Sequence, residues 1–297
     1  MTSPAARNQR RSAALFLAPF LLLFVATTIA PLAYATWLSL FSERSSGLGF
    51  GGTERLFVGL GNYTKALGDS TFRGGFVTIV AYIAVYVPIM IGAALVISLL
   101  LDSGLAVARR FFQMALFLPH AVPGLIASLI WLYLYTPSLS PVVAWLGDSH
   151  GEANLASSSP LLSVVNIAAW QWIGYNVVIF YAALQAVPRE VLEAARVDGA
   201  SRVQQAFRIK TPLIMPAVIM ATLFTIIGSV QLFTEPKILA PVSTTITNAW
   251  TPNLFAQDAA FSQNDYGLAA AASILIAVAA ASMSFLVMRI ASRRSAS

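Results

Sequence analysis

Six apolar runs constrain this chain more than any other feature: residues 13–41, 74–101, 113–135, 161–186, 216–234 and 267–290. A helical run of about 20 apolar residues, rising about 1.5 Å per residue, crosses roughly 30 Å of hydrocarbon. Inside a bilayer every backbone N–H and C=O must be paired within the protein, so such runs fold as helices. Composition agrees: 58% of residues are hydrophobic and 10% charged, where soluble domains carry about a quarter charged. The expected fold class is an all-α polytopic membrane protein with six transmembrane helices.

The polar stretches orient those helices. An N-tail, 1–12, carries Arg7, Arg10 and Arg11. Ala33-Tyr34-Ala35 resembles a signal-peptidase site, but the apolar run before it is too long for a signal core, so the first helix is read as uncleaved and kinked at Pro31. Residues 42–73 read as a polar loop with Gly-rich turns, 136–160 as a loop without Lys or Arg, and 235–266 as a loop rich in Ser, Thr and Asn. Pro88 marks a flexible point in the second span, and the third holds Pro119 and Pro123 with Trp131, Tyr133 and Tyr135 at its far end. The Ala-rich sixth span is suited to close helix packing. Arg7, Arg10, Arg11, Arg109, Arg110, Arg189, Arg196, Arg202, Arg208, Lys210 and the arginines around the C-tail, 291–297, share one face. The opposite face has Arg44, Arg55, Lys65, Arg73 and Lys237. The bias makes the first face, with both termini, cytoplasmic.

Several function classes drop out. The chain has no cysteine and its two histidines, His120 and His150, are far apart, so no metal is expected. The net charge of +6 flanks apolar runs without interleaved aromatics, which argues against nucleic acid. No span supplies paired carboxylates or a Ser with a base, so an intramembrane enzyme is disfavoured. Ion-coupled carriers place ionisable residues within their spans. Here only His120 is in question, and it is read as packed or interfacial. No Gly-x-x-x-x-Gly-Lys-Ser/Thr loop is present either. A transporter lacking both devices needs a separate ATPase, and a purely structural scaffold would leave the next segment without a role.

That segment is the polar elbow at 187–215. Pro188 suits a first helical turn, Glu190 and Glu193 favour its N-terminus, and Arg189 can pair with Glu193 four residues on. Gly199 is placed to end the helix in the left-handed conformation. Ser201 and Gln204 have capping-box spacing for a second helix with an apolar stripe of Val203, Ala206 and Phe207, ended by Pro212.

Glu193, Ala194, Ala195, Asp198, Gly199, Ala200, Ile209, Pro212 and Pro216 match, in one register, the EAA loop of bacterial ABC-importer permeases, to which the chain is similar. It departs from that pattern at Ala206 and Thr211. Phe57-Val-Gly-Leu-Gly-Asn-Tyr63 resembles the segment after the first helix in sugar-type ABC permeases. Phe117-Leu-Pro119, Trp131, Gln231-Leu-Phe233 and Tyr266-Gly267-Leu-Ala269 further resemble the maltose and glycerol-phosphate uptake group, although Pro241-Val-Ser-Thr-Thr replaces the group's Gly-Gly-Pro. The resemblance implies a type I ABC importer permease fold in the bacterial inner membrane. It also implies a second homologous permease subunit, an ATPase dimer that holds ATP and magnesium, an extracytoplasmic sugar-binding protein, and an elbow that docks on the ATPase.

Trp170, Gln171, Trp172, Tyr175 and Asn176 lie deep in the fourth span, and Trp172, Tyr175 and Asn176 share one helical face. A flat aromatic covers the apolar face of a pyranose while an amide bonds its hydroxyls. Two readings stay open: a sugar pathway, joined by Ser229, Gln231 and Thr234 of the fifth span, or helix–helix packing. Cationic residues are absent from the spans, which favours a neutral solute over a phosphate ester, with a peptide as another alternative.

Overall fold

The computed structural model describes residues 4–45, 53–103, 108–136, 139–140 and 159–294. Most of the expected 136–160 loop, His150 included, lies outside the described residues, as do residues 1–3 and 295–297 of the tails. The chain divides into two compact units.

The first unit takes in residues 1–69 and 256–277. Here α1 (Pro4–Phe24) passes through a π-helical turn, Val25–Ile29, into α2 (Ala30–Leu38). The kink expected at Pro31 takes this form. A proline ring collides with the carbonyl four residues back, and in the widened turn the Ala30 N–H reaches five residues back to Val25. The apolar part of this rod, Ala14–Leu38, is not buried anywhere within the chain. The loop expected at 42–73 is more structured than its polarity implied. Strands β1 (Phe41–Ser45) and β2 (Thr53–Phe57) pair antiparallel with Glu43 opposite Arg55, and their side chains form a 2.9 Å ion pair. After them α3 (Gly61–Gly68) is pinned by Asn62, whose amide donates to the carbonyls of Ser39 and Phe41, each at 2.8 Å. Gly267 packs against the same Phe41 carbonyl, where a Cβ would lie 2.0 Å from the oxygen. Asp265 accepts from the Leu268 N–H at 3.0 Å and pairs with Lys65 at 2.7 Å.

The second unit holds residues 70–255 and 278–297. It begins with α4 (Ser70–Asp102), helical throughout despite Pro88. The third span is not one continuous helix. It consists of α5 (Arg109–Ala121) and α6 (Gly124–Tyr135), bent by 96° at the break. Pro123 offers no N–H and holds Val122 extended, so the helix stops there. The Val122 carbonyl freed by the break is taken by Gln171 Nε2 at 2.8 Å. Gln171 belongs to α7 (Pro160–Gln185), the fourth span. At Gly174 a Cβ would sit 1.7 Å from the Leu116 carbonyl oxygen, so only glycine lets α5 and α7 touch by their backbones.

The elbow follows with α8 (Arg189–Val197), α9 (Arg202–Gln204), a π-helical stretch (Gln205–Lys210) and α10 (Thr211–Leu213). Pro212 does not end this helix. As at Pro31, the residue before the proline donates five residues back, here Thr211 to Ala206, and the helix carries on to Leu213. It meets α11 (Met215–Val230) at a 67° bend. The fifth span is therefore shorter than 216–234. Its C-terminal residues turn into α12 (Thr234–Leu239). The loop expected at 235–266 holds a further helix, α13 (Pro252–Phe261), signalled by Thr251 as a cap before a proline and with Thr251 Oγ1 accepting from the Leu254 N–H at 3.3 Å. The last helix, α14, runs Tyr266–Arg294.

Candidate functional site

Two places on the second unit carry the candidate residues. The first is the elbow. Gly199, at φ +80°, is the left-handed residue that ends α8. Its N–H donates to the Arg196 carbonyl at 3.0 Å and the Ala200 N–H to the Ala195 carbonyl at 2.9 Å, completing a Schellman motif. The capping box then starts the next helix. The Ser201 N–H donates to Gln204 Oε1 at 2.8 Å and the Gln204 N–H to Ser201 Oγ at 3.3 Å. Pro188 sits at the N-cap position, one residue outside the turn expected for it. Of the matched residues, Glu193, Ala194, Asp198 and Pro212 are exposed, Ala200 and Ile209 half-buried, and Ala195 buried. Ala206 faces the core, while Val203 and Phe207 of the same stripe stay 67% and 54% exposed.

One residue that sequence reasoning passed over fixes the elbow to the spans. Asp102, the last residue of α4, accepts from Gln185 Nε2 of α7 at 2.8 Å and pairs with Lys210 of the elbow. Both charged side chains are mostly buried. Ile214, at the bend into α11, is buried in the same apolar cluster as Ala94, Val177 and Phe180.

The second place is a cavity of about 580 Å³ among α4, α7, α11 and α12, within the roughly 300–1,000 Å³ of small-ligand sites. Trp172, Tyr175, Asn176, Ser229 and Gln231 all line it. Trp170 does not: it packs edge-on against Trp131, with centroids 6.0 Å apart. Asn176 Nδ2 donates to Met90 Sδ at 3.2 Å and to the Trp172 carbonyl at 3.0 Å. The Ser229 hydroxyl donates to the Thr225 carbonyl at 2.7 Å, which leaves its lone pairs free to accept. Among the lining residues that escaped the sequence reading are Tyr82, Tyr86 and Glu235. The tyrosine rings stack at 4.9 Å, and their spacing of four in an apolar span was the available signal. Glu235 lies just past the fifth span, and burial pushes its carboxyl above the usual carboxylate range. His120 packs beside the cavity residues, 4.6 Å from the Trp172 ring and 4.7 Å from Tyr175, and its buried Nδ1 has no hydrogen-bond partner among the described residues.

Residues 105–296 match the family of binding-protein-dependent transport system inner membrane components. The chain belongs to that family. This permease is 28% identical over 264 residues to the arabinooligosaccharides transport system permease protein AraP of Halalkalibacterium halodurans, covering 88% of the present chain and 81% of the relative. It is 29% identical over 283 residues to the trehalose transport system permease protein SugA of Mycobacterium tuberculosis, covering 95% and 89%. The sn-glycerol-3-phosphate transport system permease protein UgpA of Salmonella typhimurium is 33% identical over 204 residues, 68% of this chain and 67% of the relative. In fold, the permease resembles a chain in the crystal structure of a bacterial ABC transporter involved in import of the acidic polysaccharide alginate, with a TM-score of 0.79, 17% identity, and coverage of 98% and 99%. The fold is that of an ABC importer permease, multi-pass and membrane-embedded.

Proposed function

We propose that this permease carries a neutral sugar or short oligosaccharide across the bacterial cytoplasmic membrane, alternating between inward-open and outward-open states. A loaded extracytoplasmic binding protein delivers the solute. A second, homologous permease subunit completes the pathway. An ATPase dimer, which holds ATP and magnesium, seats on the elbow at 187–215, and both termini lie on its side of the membrane. The exposed Val203 and Phe207, on the same elbow as the exposed Glu193 and Asp198, support the docking reading, since this chain leaves those apolar side chains uncovered. Glu193, Ala194, Ala195, Asp198, Gly199, Ala200, Ile209 and Pro212 form or brace that surface. Closure of the ATPases pushes the elbow, and the Asp102–Lys210 pair with Gln185 passes the movement to α4 and α7.

The sugar reading is carried by one observation: Trp172, Tyr175, Asn176, Ser229 and Gln231, distant in sequence, converge on one cavity of about 580 Å³. The rings of Trp172 and Tyr175 are 41% and 38% exposed and available for stacking on a pyranose. The names of the arabinooligosaccharide and trehalose relatives support the same class. The test is uptake of labelled disaccharides by cells carrying the complete importer. Trp172→Ala and Asn176→Ala are expected to change the uptake kinetics with assembly intact. Unchanged kinetics would return both residues to helix packing.

A further inference from the structure

The cavity holds a carboxyl group that its other walls do not pair. Glu235 has no ion-pair partner among the described residues, and no Lys, Arg or His lines the cavity. Its carboxylate takes a hydrogen bond from its own backbone N–H and none from any described side chain. The Tyr82 and Tyr86 hydroxyls likewise bond to no described protein group. A half-buried carboxylate among membrane helices is retained where something hydrogen-bonds it. Its two oxygens accept only, so the complementary ligand supplies donors. Adjacent sugar hydroxyls do so in pairs. The tyrosine hydroxyls and Gln231, with Ser229 as an acceptor, then answer the remaining oxygens and hydroxyls of a polyol. A second negative charge in the same apolar enclosure would meet Glu235 with little screening.

We propose that Glu235 is the specificity-determining residue of the cavity: its carboxylate accepts hydrogen bonds from paired hydroxyls of a neutral sugar, and its charge excludes acidic sugars and phosphate esters. This rests on the sugar reading of the cavity given above.

The test is equilibrium binding to the importer assembled with its partner subunits in lipid nanodiscs. The probes are labelled trehalose, maltose and arabinobiose, set against digalacturonate and sn-glycerol 3-phosphate. The wild type is expected to bind a neutral probe and neither anion, a result that needs no variant. Glu235→Gln, nearly isosteric, is expected to weaken the neutral probe about 10–100-fold, the range for losing hydrogen bonds to a charged group. Glu235→Lys is expected to admit digalacturonate. An anion bound by the wild type as tightly as the neutral probe overturns the proposal, as does unaltered binding in Glu235→Gln. Trp172→Ala distinguishes the two levels. Loss there with none in Glu235→Gln overturns only the role of Glu235. Loss in neither, or no neutral probe bound at all, overturns the sugar reading and this inference with it.

Discussion

The elbow and the cavity lie in one unit of the chain but are built in opposite ways. The side-chain hydrogen bonds within the elbow join residues no more than five apart, from the Ser201–Gln204 box to Gln205 on Ala200 and Thr211 on Ala206. The cavity is assembled from residues as distant as Tyr82 and Glu235, and its Asn176 reaches Met90 across 86 positions. A device that transmits force needs local stiffness, which a short stretch encodes by itself. A site that encloses a solute needs walls from several helices. The difference says where each region should break: the elbow at its caps, the cavity at the contacts that bring helices together.

The largest effect is expected at Gly174. Gly174→Leu puts side-chain atoms where the Leu116 carbonyl stands, so α5 and α7 separate and little assembled permease should reach the membrane fraction on immunoblotting. Gly199→Val comes next. A branched residue at φ +80° costs about 1–2 kcal/mol or more at the elbow, and transport should fall sharply while membrane insertion and the cavity stay intact. Asp102→Ala strips Lys210 of its partner and should lower stability by about 2 kcal/mol in a thermal melt. Normal stability there would mean that the elbow is held by its apolar contacts alone. Trp172→Ala should raise the half-saturating solute concentration about 3–10-fold, the worth of one aromatic contact, without touching stability. Ser201→Ala should be mildest, removing one cap worth about 1 kcal/mol.

The same contrast explains what was legible in the sequence. Gly199, Ser201 and Gln204 announce their geometry because caps depend on residue type at fixed spacing. Pro212 misled, since a proline read as a stop is compatible with a π-helical turn that moves the opposing carbonyl away. Pro119 and Pro123 were visible, but the 96° break between α5 and α6 depends on Gln171 arriving from another helix to take the Val122 carbonyl. Trp172, Tyr175 and Asn176 share a face by periodicity, whereas Trp170, two residues from Trp172, points to Trp131 instead. Glu235 looked like the start of a loop because nothing local reveals that α12 turns it toward the cavity. Asp102 went unremarked because its partners lie 83 and 108 positions away.

The central claim is that force enters at the elbow and solute passes through the cavity. It is tested most directly by measuring uptake and ATP hydrolysis together on the reconstituted importer. Gly199→Val should lower solute moved per ATP at every solute concentration, and Trp172→Ala should shift the half-saturating concentration while leaving solute per ATP at saturation unchanged. If both variants altered the same quantity, or if Gly199→Val left solute per ATP untouched, the division of labour between the two regions would be contradicted.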